Sequence, residues 1–187
     1  MKFGPVPLHE AEGAVLAHSV QLTKGRLRKG RVLSRDDIAL LAANGLTRVT
    51  VARLDPADIE ENEAARRLAA ALVPDPEAAG LEVQEAFTGR VNIRATRPGV
   101  VAIDVAAVEA LNAVDPMITL ATVPRWQRAW PGMMVGTVKI IAYGVEEAAL
   151  TRAEAAARNA LSVRPVELHS AGLIVTEVPG DPVSPED

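Results

Sequence analysis

The stretch from Lys24 to Val51, KGRLRKGRVLSRDDIALLAANGLTRVTV, constrains the fold more than any other part of the sequence. Five of its first eight residues are basic and two glycines separate them, which is typical of an exposed hairpin. Ser34, followed by Asp36 and Asp37, predicts the start of a helix, because a hydroxyl and first-turn carboxylates satisfy its free N–H groups. An Asn-Gly pair predicts the end of that helix, and the alternation in RVTV predicts a strand.

Apolar periodicity and turn signals predict further short elements along the chain. Helices are predicted at 59–72, 104–114 and 151–161, and strands at 81–87, 91–95, 100–103, 117–123, 133–142, 163–168 and 172–178. The three strands before residue 104 are expected to form a small antiparallel meander. The long apolar strand is expected to be central in its sheet. Because Lys139 is isolated in that strand, we expect its ammonium group to lie at an edge or to reach a carboxylate.

These elements predict an α+β fold with antiparallel strands and four short helices in two small lobes. The boundary is expected at Pro74-Asp75-Pro76, because prolines extend neither a helix nor a sheet ladder. The N-terminal lobe, residues 1–73, contains the hairpin-helix-strand unit. The strand-rich second lobe covers residues 77–170, and residues 171–187 end in a polar, proline-rich tail.

Composition excludes several classes of protein. The chain has no cysteine, which excludes disulfides and thiolate metal sites and fits a cytoplasmic location. Its first residues do not resemble an export signal. The most apolar run, residues 133–145, is shorter than the ~20 residues that span a bilayer. We therefore expect a soluble cytoplasmic protein without a membrane segment.

Charge is distributed unevenly along the chain. Residues 1–53 hold nine Lys and Arg against four Asp and Glu, and the remaining residues hold eleven against twenty. A chain that is acidic overall is a poor candidate for binding duplex nucleic acid, but a local basic segment suits a small anionic ligand. The sequence therefore predicts a small anion as the partner of the basic hairpin.

Three groups of residues are candidates for contact with that ligand. The first is the basic hairpin, with Lys24, Arg26, Arg28, Lys29 and Arg31. The second is the Thr-Gly turn and the strand after it, with Arg90 and Asn92 on one side of the strand. The third is RWQRAWP, where Arg125 and Arg128 alternate with two tryptophans, a pattern able to stack on a planar base or pterin.

Each candidate also has a structural explanation. The hairpin can be a solvated turn, the Thr-Gly segment an ordinary hairpin, and one tryptophan a plug in a small core with the arginines exposed. No catalytic motif appears, and the three histidines lie far apart without metal-ligand spacing. We therefore predict no catalytic residue and no metal ligand.

Several segments together resemble the N-terminal region of bacterial molybdopterin-binding proteins of the molybdopterin molybdotransferase-like family, some of which are fused to a nucleotidyltransferase domain. These segments are KGRVLSRDDIALLAANGLTRVTV, FTGRVNIRA, DPMITLATVPRWQRAWPGMMVGTVKIIAYGV and SAGLIVTEVPG. The resemblance covers about residues 1–180. It implies that residues 171–187 are the start of a pterin-binding domain, the rest of which the sequence lacks, or that they form a disordered tail.

The resemblance also implies a function in the biosynthesis of the molybdenum cofactor, with molybdopterin as the cofactor handled by the family. It suggests an accessory module that positions or dimerises a domain handling a pterin or nucleotide. The sequence lacks the DRSAMDGYA-type motif of the transferases, so we expect no catalysis by this polypeptide alone. The implied partners are a C-terminal pterin-binding domain in a longer natural chain and a second copy in a homodimer.

Two other functions remain open at this point. The chain could be a small enzyme or binding protein for a phosphorylated pterin-like metabolite, using the basic hairpin and the Arg/Trp segment. It could also be a protein-protein interaction domain.

Overall fold

Short helices and antiparallel strands alternate along the computed structural model, which describes residues 1–168 and 170–174. The strands are β1 (Lys2–Pro7), β2 (Val15–Leu16), β3 (Val20–Gln21), β4 (Arg26–Leu27), β5 (Arg48–Arg53), β6 (Asp58–Glu60), β7 (Leu81–Val83), β8 (Arg90–Ala95), β9 (Gly99–Ile103), β10 (Ile118–Thr122), β11 (Arg128–Ala129), β12 (Met134–Ile140), β13 (Gly144–Glu146) and β14 (Leu161–Pro165). The helices are α1 (Arg35–Ala43), α2 (Glu61–Leu72), α3 (Pro76–Ala79), α4 (Val105–Asn112) and α5 (Glu147–Ala157), with a 3-10 turn at Leu8–Glu10. The predicted α+β class is confirmed.

The first part of the chain folds around its own apolar cluster. Strands β1, β5 and β2 form an antiparallel sheet with β5 in the centre, and β3 pairs with β4 in the predicted basic hairpin. Helix α1 joins this hairpin to β5. The buried residues of this first cluster are Leu8, Ala11, Ala14, Leu16, Leu22, Leu27, Leu33, Leu41, Val49 and Val51.

Helix α1 begins where the sequence predicts, because Ser34 and Asp37 form a reciprocal cap. The Ser34 hydroxyl accepts a hydrogen bond from the Asp37 amide, and the Asp37 carboxylate accepts one from the Ser34 amide at 3.1 Å. Arg31 Nε donates to the same carboxylate at 2.8 Å. Asp37 is buried, so these bonds replace its lost hydration.

A second, larger apolar cluster surrounds a four-stranded sheet with the order β10-β12-β8-β7. Strand β12 is internal, as predicted for the long apolar strand. Helices α2 and α5 pack against each other and α2 packs against β12 and β8, so one face of the sheet is covered. The largest fully buried side chains of this cluster are Leu68, Leu72, Ile93, Leu111, Ile118, Ile140, Leu150 and Leu161.

A third sheet has the order β11-β9-β14, so the predicted meander is only partly correct. Strands β7 and β8 pair as expected, but β9 does not join them. Each strand has two edges, and both edges of β8 are occupied, by β7 and β12. Strand β9 pairs with β14 and β11 instead. Gly99 permits this pairing, because a Cβ there would collide with the carbonyl oxygen of Arg164.

The two apolar clusters divide the chain ahead of α2. The first ends at Val51, and Ala64 of α2 already belongs to the second. Helix α2, which was expected in the first lobe, has its buried face against the second cluster. The Tyr143 hydroxyl crosses between the clusters and donates to the carbonyl of Ala17 at 2.6 Å.

The segment around the predicted boundary contains a short helix, α3, in addition to the four helices that were predicted. Asp75 accepts from the amide of Ala78 and caps α3, and Gly80 ends it with a φ of 67°. Arg97 donates to the carbonyl oxygens of Ala78 and Val163, each at 2.9 Å. The segment is exposed up to Ala78, but Arg97 ties its end to the edge strand β14.

Two other boundaries differ from the predictions. Helix α5 begins at Glu147 and not at Thr151, because β13 leads directly into it and the Glu147 amide donates to the carbonyl of Ala57 at 2.9 Å. Residues 172–174 are irregular, and the rest of the strand predicted at 172–178 lies outside the described residues. Within the described part of the chain, no helix combines the length and apolar character needed to cross a bilayer.

We predict that Asp37→Asn lowers the free energy of unfolding at pH 7 by about 1–3 kcal/mol, the scale for losing hydrogen bonds to a charged group. The hydrogen bond from Arg31, with those from Ser34, holds the pKa of Asp37 below its usual value against the opposing effect of burial. The stabilisation is therefore complete above the unfolded pKa of about 4 and is lost as the pH falls below it.

Urea unfolding of Asp37→Asn and wild type at pH 7 and pH 3 checks this prediction. Asp36→Asn is the matched control, because Asp36 is exposed on the same turn. A difference between wild type and Asp37→Asn that is equally large at pH 3 would contradict the account.

We also predict that Gly80→Ala destabilises the protein more than Gly45→Ala does. Both glycines have positive φ, so both substitutions carry the backbone cost of about 1 kcal/mol. A Cβ at Gly80 would overlap the guanidinium of Arg97, whereas a Cβ at Gly45 meets open space. Equal midpoints for the two variants in urea would show that the hydrogen bonds of Arg97 contribute nothing.

Candidate ligand-binding cleft

A cleft of about 480 Å³ lies where the basic hairpin of the first cluster meets the four-stranded sheet of the second. Its walls come from the turn after β4, the start of α2, the connection between β7 and β8, and the ends of β8 and β12. The lining residues are Lys29, Gly30, Glu61, Glu85, Phe87, Thr88, Arg90, Asn92, Lys139, Ile141 and Tyr143. The cleft therefore combines cations, carboxylates and aromatic rings.

Three cations converge on this cleft from different parts of the chain. Arg90 and Lys139 are directly opposite each other in the antiparallel pairing of β8 with β12, which places both on one face of the sheet. Lys29 approaches from the hairpin side. Among the described residues none of the three forms an ion pair within 4.0 Å. Their charges are therefore available to a ligand.

Lys139 is held by a backbone carbonyl and not by a carboxylate. Its Nζ atom donates to the oxygen of Thr88 at 2.7 Å. The sequence predicted that Lys139 would lie at an edge or reach a carboxylate, but its strand is internal. The side chain is on the open face of the sheet, half-buried, so its ammonium keeps contact with solvent.

The turn between Phe87 and Arg90 forms one rim of the cleft. Phe87 and Arg90 exchange backbone hydrogen bonds at 2.9 and 3.1 Å, and the two residues between them have positive φ, 48° at Thr88 and 68° at Gly89. This conformation suits glycine but strains a β-branched residue such as threonine. A Cβ at Gly89 would lie 2.8 Å from an oxygen of Glu61, and the Gly89 amide donates to Asn62 Oδ1 at 2.9 Å, so this turn packs against the start of α2.

Glu61 is the half-buried carboxylate of the cleft. Burial raises the pKa of Glu61, and Lys139, followed by Lys29, opposes that rise. The other carboxylate, Glu85, is exposed. Three cations and two carboxylates leave the lining with an excess of positive charge.

Tyr143 supplies a fixed aromatic wall. Its hydroxyl donates to Ala17, and its ring stacks on Phe3 with the centroids 6.5 Å apart and an angle of 11° between planes. Burial, and then the charge of Glu61, raises the pKa of the phenol. Phe87, which is 77% exposed, also lines the cleft. A planar ligand would therefore find aromatic surface in the same cleft as the cations.

The structure brings together three of the nine predicted ligand residues, Lys29, Arg90 and Asn92. Lys24, Arg26 and Arg28 are exposed on the hairpin outside the cleft. Arg31 is paired with Asp37. The hairpin therefore reaches the cleft through the turn that follows β4.

Arg125 and Arg128 lie on a different surface, that of the β11-β9-β14 sheet. The suggestion that one tryptophan fills a core is wrong, because Trp126 is 49% and Trp130 is 55% exposed. The core position of this segment belongs to Ala129, which is buried on the other side of β11.

Sequence reasoning missed Glu61 and Tyr143 as parts of the site. Glu61 has the position of an ordinary first-turn acid of a helix, and Tyr143 follows an apolar strand without any local signal. Lys139 did carry a signal, since it is the only charge in its strand. The described residues contain no cluster of three or more metal-ligating side chains. The three cations of the cleft suit an anionic ligand.

We predict that Lys139→Met changes the free energy of unfolding by less than about 1 kcal/mol, because the hydrogen bond that it removes is solvent-exposed, and that it raises the pKa of Glu61. Lys139 is the cation that chiefly opposes the effect of burial on that carboxyl group. An NMR titration of the glutamate carboxyl carbons measures the shift. Lys29→Met is the control and should give a smaller rise. An unchanged pKa of Glu61 in Lys139→Met would show that the charge of Lys139 does not act on Glu61.

Comparison with known proteins bears on the first cluster. A family model described as a domain of unknown function (DUF8806) matches residues 5–53. This range contains all buried residues of the first cluster. No curated protein matches the chain, and no solved structure matches it. The N-terminal part of the chain is thus similar to a domain whose function is unknown.

Proposed function

We propose that this protein is a binding module for a small phosphorylated metabolite with a planar ring, held in the cleft between the two apolar clusters. The observation that supports the proposal most directly is the convergence of Lys29, Arg90 and Lys139 on one cavity. The proposal assigns binding to the cleft and no catalytic step.

The charges favour a phosphate over a neutral ligand. Guanidinium and ammonium groups make charge-assisted hydrogen bonds to phosphate oxygens, and Arg90 can do so with two N–H groups at once. Neither Arg90 nor Lys29 has an ion pair to break first among the described residues. Asn92 lies two residues further along the same face, where its Oδ1 atom accepts a hydrogen bond from the Thr137 hydroxyl at 3.2 Å.

The remaining walls favour a ring. Ligand sites usually combine apolar and aromatic lining with a few polar groups that fix orientation. Tyr143 and Phe87 provide aromatic surface, and Ile141 is exposed beside them. A phosphate at the cations would place a ring attached to it against these side chains.

We also propose, as the narrower version, that the ligand is pterin-like and that the chain is an accessory module in molybdenum cofactor biosynthesis, cytoplasmic and not catalytic alone. The support is the resemblance of KGRVLSRDDIALLAANGLTRVTV and the later segments to that family. A homodimer and a C-terminal pterin-binding domain in a longer chain belong to the same proposal.

The proposal predicts that phosphate, and more strongly a phosphorylated pterin, raises the melting temperature of the protein by mass action. The Lys29→Glu/Arg90→Glu double variant should lose this shift. The measurement is differential scanning fluorimetry across a series of ligand concentrations, repeated at high sodium chloride, where screening should weaken the phosphate response.

Arg26→Glu/Arg28→Glu is the matched control, because it also reverses two positive charges, but on the part of the hairpin that lies outside the cleft. It should respond to phosphate nearly as wild type does. Loss of the response in this control with retention in Lys29→Glu/Arg90→Glu would move the anion to the hairpin tip and reject the cleft. Equal responses to phosphate and phosphorylated pterin would reject the ring-binding part of the proposal.

A further inference from the structure

The outward face of the β11-β9-β14 sheet carries the Arg/Trp segment that the cleft does not use. We call it the Trp126 face and define it by Arg125, Trp126, Arg128, Val100, Ser162 and Arg164. All six side chains are at least partly exposed, whereas Val101, Ile103, Leu161 and Val163 fill the core side of the same sheet.

The strand register places two arginines in one row across this face. Arg128 is opposite Val100 in the pairing of β11 with β9, and Arg164 is opposite Val100 in the pairing of β14 with β9. Directly paired residues share a face of a sheet. The two guanidinium groups therefore flank an exposed apolar residue of the central strand.

Trp126 lies two residues before Arg128, just ahead of β11, in an unusual backbone conformation. Its φ is 67°, which is rare for a bulky residue. This strain lowers the equilibrium constant for folding by a factor of about ten or more. The Trp126 amide nevertheless donates to Val101 at 2.8 Å, and the Val101 amide donates to Gln127 at 2.9 Å. The sheet thus holds the ring half-exposed beside an open cavity of about 600 Å³ that Arg125 and Arg164 also line.

Arg125 covers part of the indole. Its guanidinium carbon lies 4.6 Å from the ring centroid, so a cation–π contact orders both side chains. The N–H groups at the edge of the guanidinium remain able to bind an oxygen anion. A stacking ring, an ordered arginine beside it and two further arginines across the sheet form a mixed aromatic and basic surface.

We infer that the Trp126 face binds a nucleobase with its attached phosphate, the base stacked against Trp126 and the phosphates paired with Arg125, Arg128 and Arg164. Proteins that bind single strands combine aromatic platforms with basic side chains that follow the phosphates. An exposed sheet face suits unstacked bases, whereas duplex bases are hidden. Asp104 also lines the cavity, where its carboxylate accepts a hydrogen bond from the amide of Ala107 and caps α4, so the phosphates are expected away from that carboxylate.

Two kinds of ligand carry these groups, a free nucleotide and a segment of single-stranded nucleic acid. Both contain a base and a phosphate, but only the polymer carries several phosphates spaced along a strand. The inference is independent of the proposed function, because Arg90 and Lys29 of the cleft take no part in it.

Fluorescence titration tests the inference in a Trp130→Phe background, where Trp126 is the only tryptophan. The probes are a ten-nucleotide oligothymidylate, thymidine monophosphate and a ten-base-pair duplex. We expect quenching by the single strand and weaker or no binding of the duplex. Tighter binding of the oligonucleotide than of the monophosphate would identify the polymer as the source, and equal affinity would identify the free nucleotide.

Variants separate stacking from charge. Trp126→Asn removes the ring and keeps a residue that tolerates positive φ, so the fold is retained; measured by fluorescence anisotropy of labelled oligothymidylate, it should bind at least about fivefold more weakly. Arg128→Gln and Arg164→Gln should each reduce the salt slope of binding by about 0.7 for every phosphate that the arginine neutralises. Arg152→Gln, which changes an exposed arginine on α5, is the matched control and should bind like wild type.

Three results would overturn the inference. One is the absence of binding to both the oligonucleotide and the monophosphate. Another is unchanged affinity in Trp126→Asn, and the third is equal binding of duplex and single strand, which would indicate attraction of phosphates without stacking.

Discussion

The structure depends on burial of only one face of the β10-β12-β8-β7 sheet. Helix α2 covers the face with Val91, Ile93 and Val138, and α5 packs against α2. Alternation along a strand sends every second side chain to the other face. That face therefore has to carry polar groups, and it carries Arg90 opposite Lys139 and Asn92 opposite Thr137. The cleft is the place where the first cluster approaches this polar face without covering it.

Local chemistry was readable from the sequence where neighbouring residues determine the structure. The helix that starts after Ser34 follows from a cap formed within four residues, and the hairpin and β5 follow from turn residues and alternation. The start of α5 was not readable, because a bond to the distant carbonyl of Ala57 decides it. The pairing of strand β9 was wrongly predicted for the same kind of reason: it depends on which edges other strands have already occupied.

The candidate site shows the same division. Arg90 and Asn92 were predictable, since two residues apart on a strand share a face. Their meeting with Lys29 depends on how two clusters associate, and nothing in the local sequence encodes this. Glu61 belongs to the site because the start of α2 is half-buried beside the cleft, where the charges of Lys139 and Lys29 act on its carboxylate.

Tyr143 joins the two clusters through its hydroxyl on Ala17 and its ring on Phe3. Each cluster has its own buried side chains. The hydrogen bond and the ring stack of Tyr143 are contacts between the two parts, and the N-terminal ammonium group adds an ion pair with Asp58 of β6 at 2.8 Å. An occupant that touches Lys29 on one side and Arg90 on the other would add a further link, so its binding would couple the unfolding of one part to that of the other.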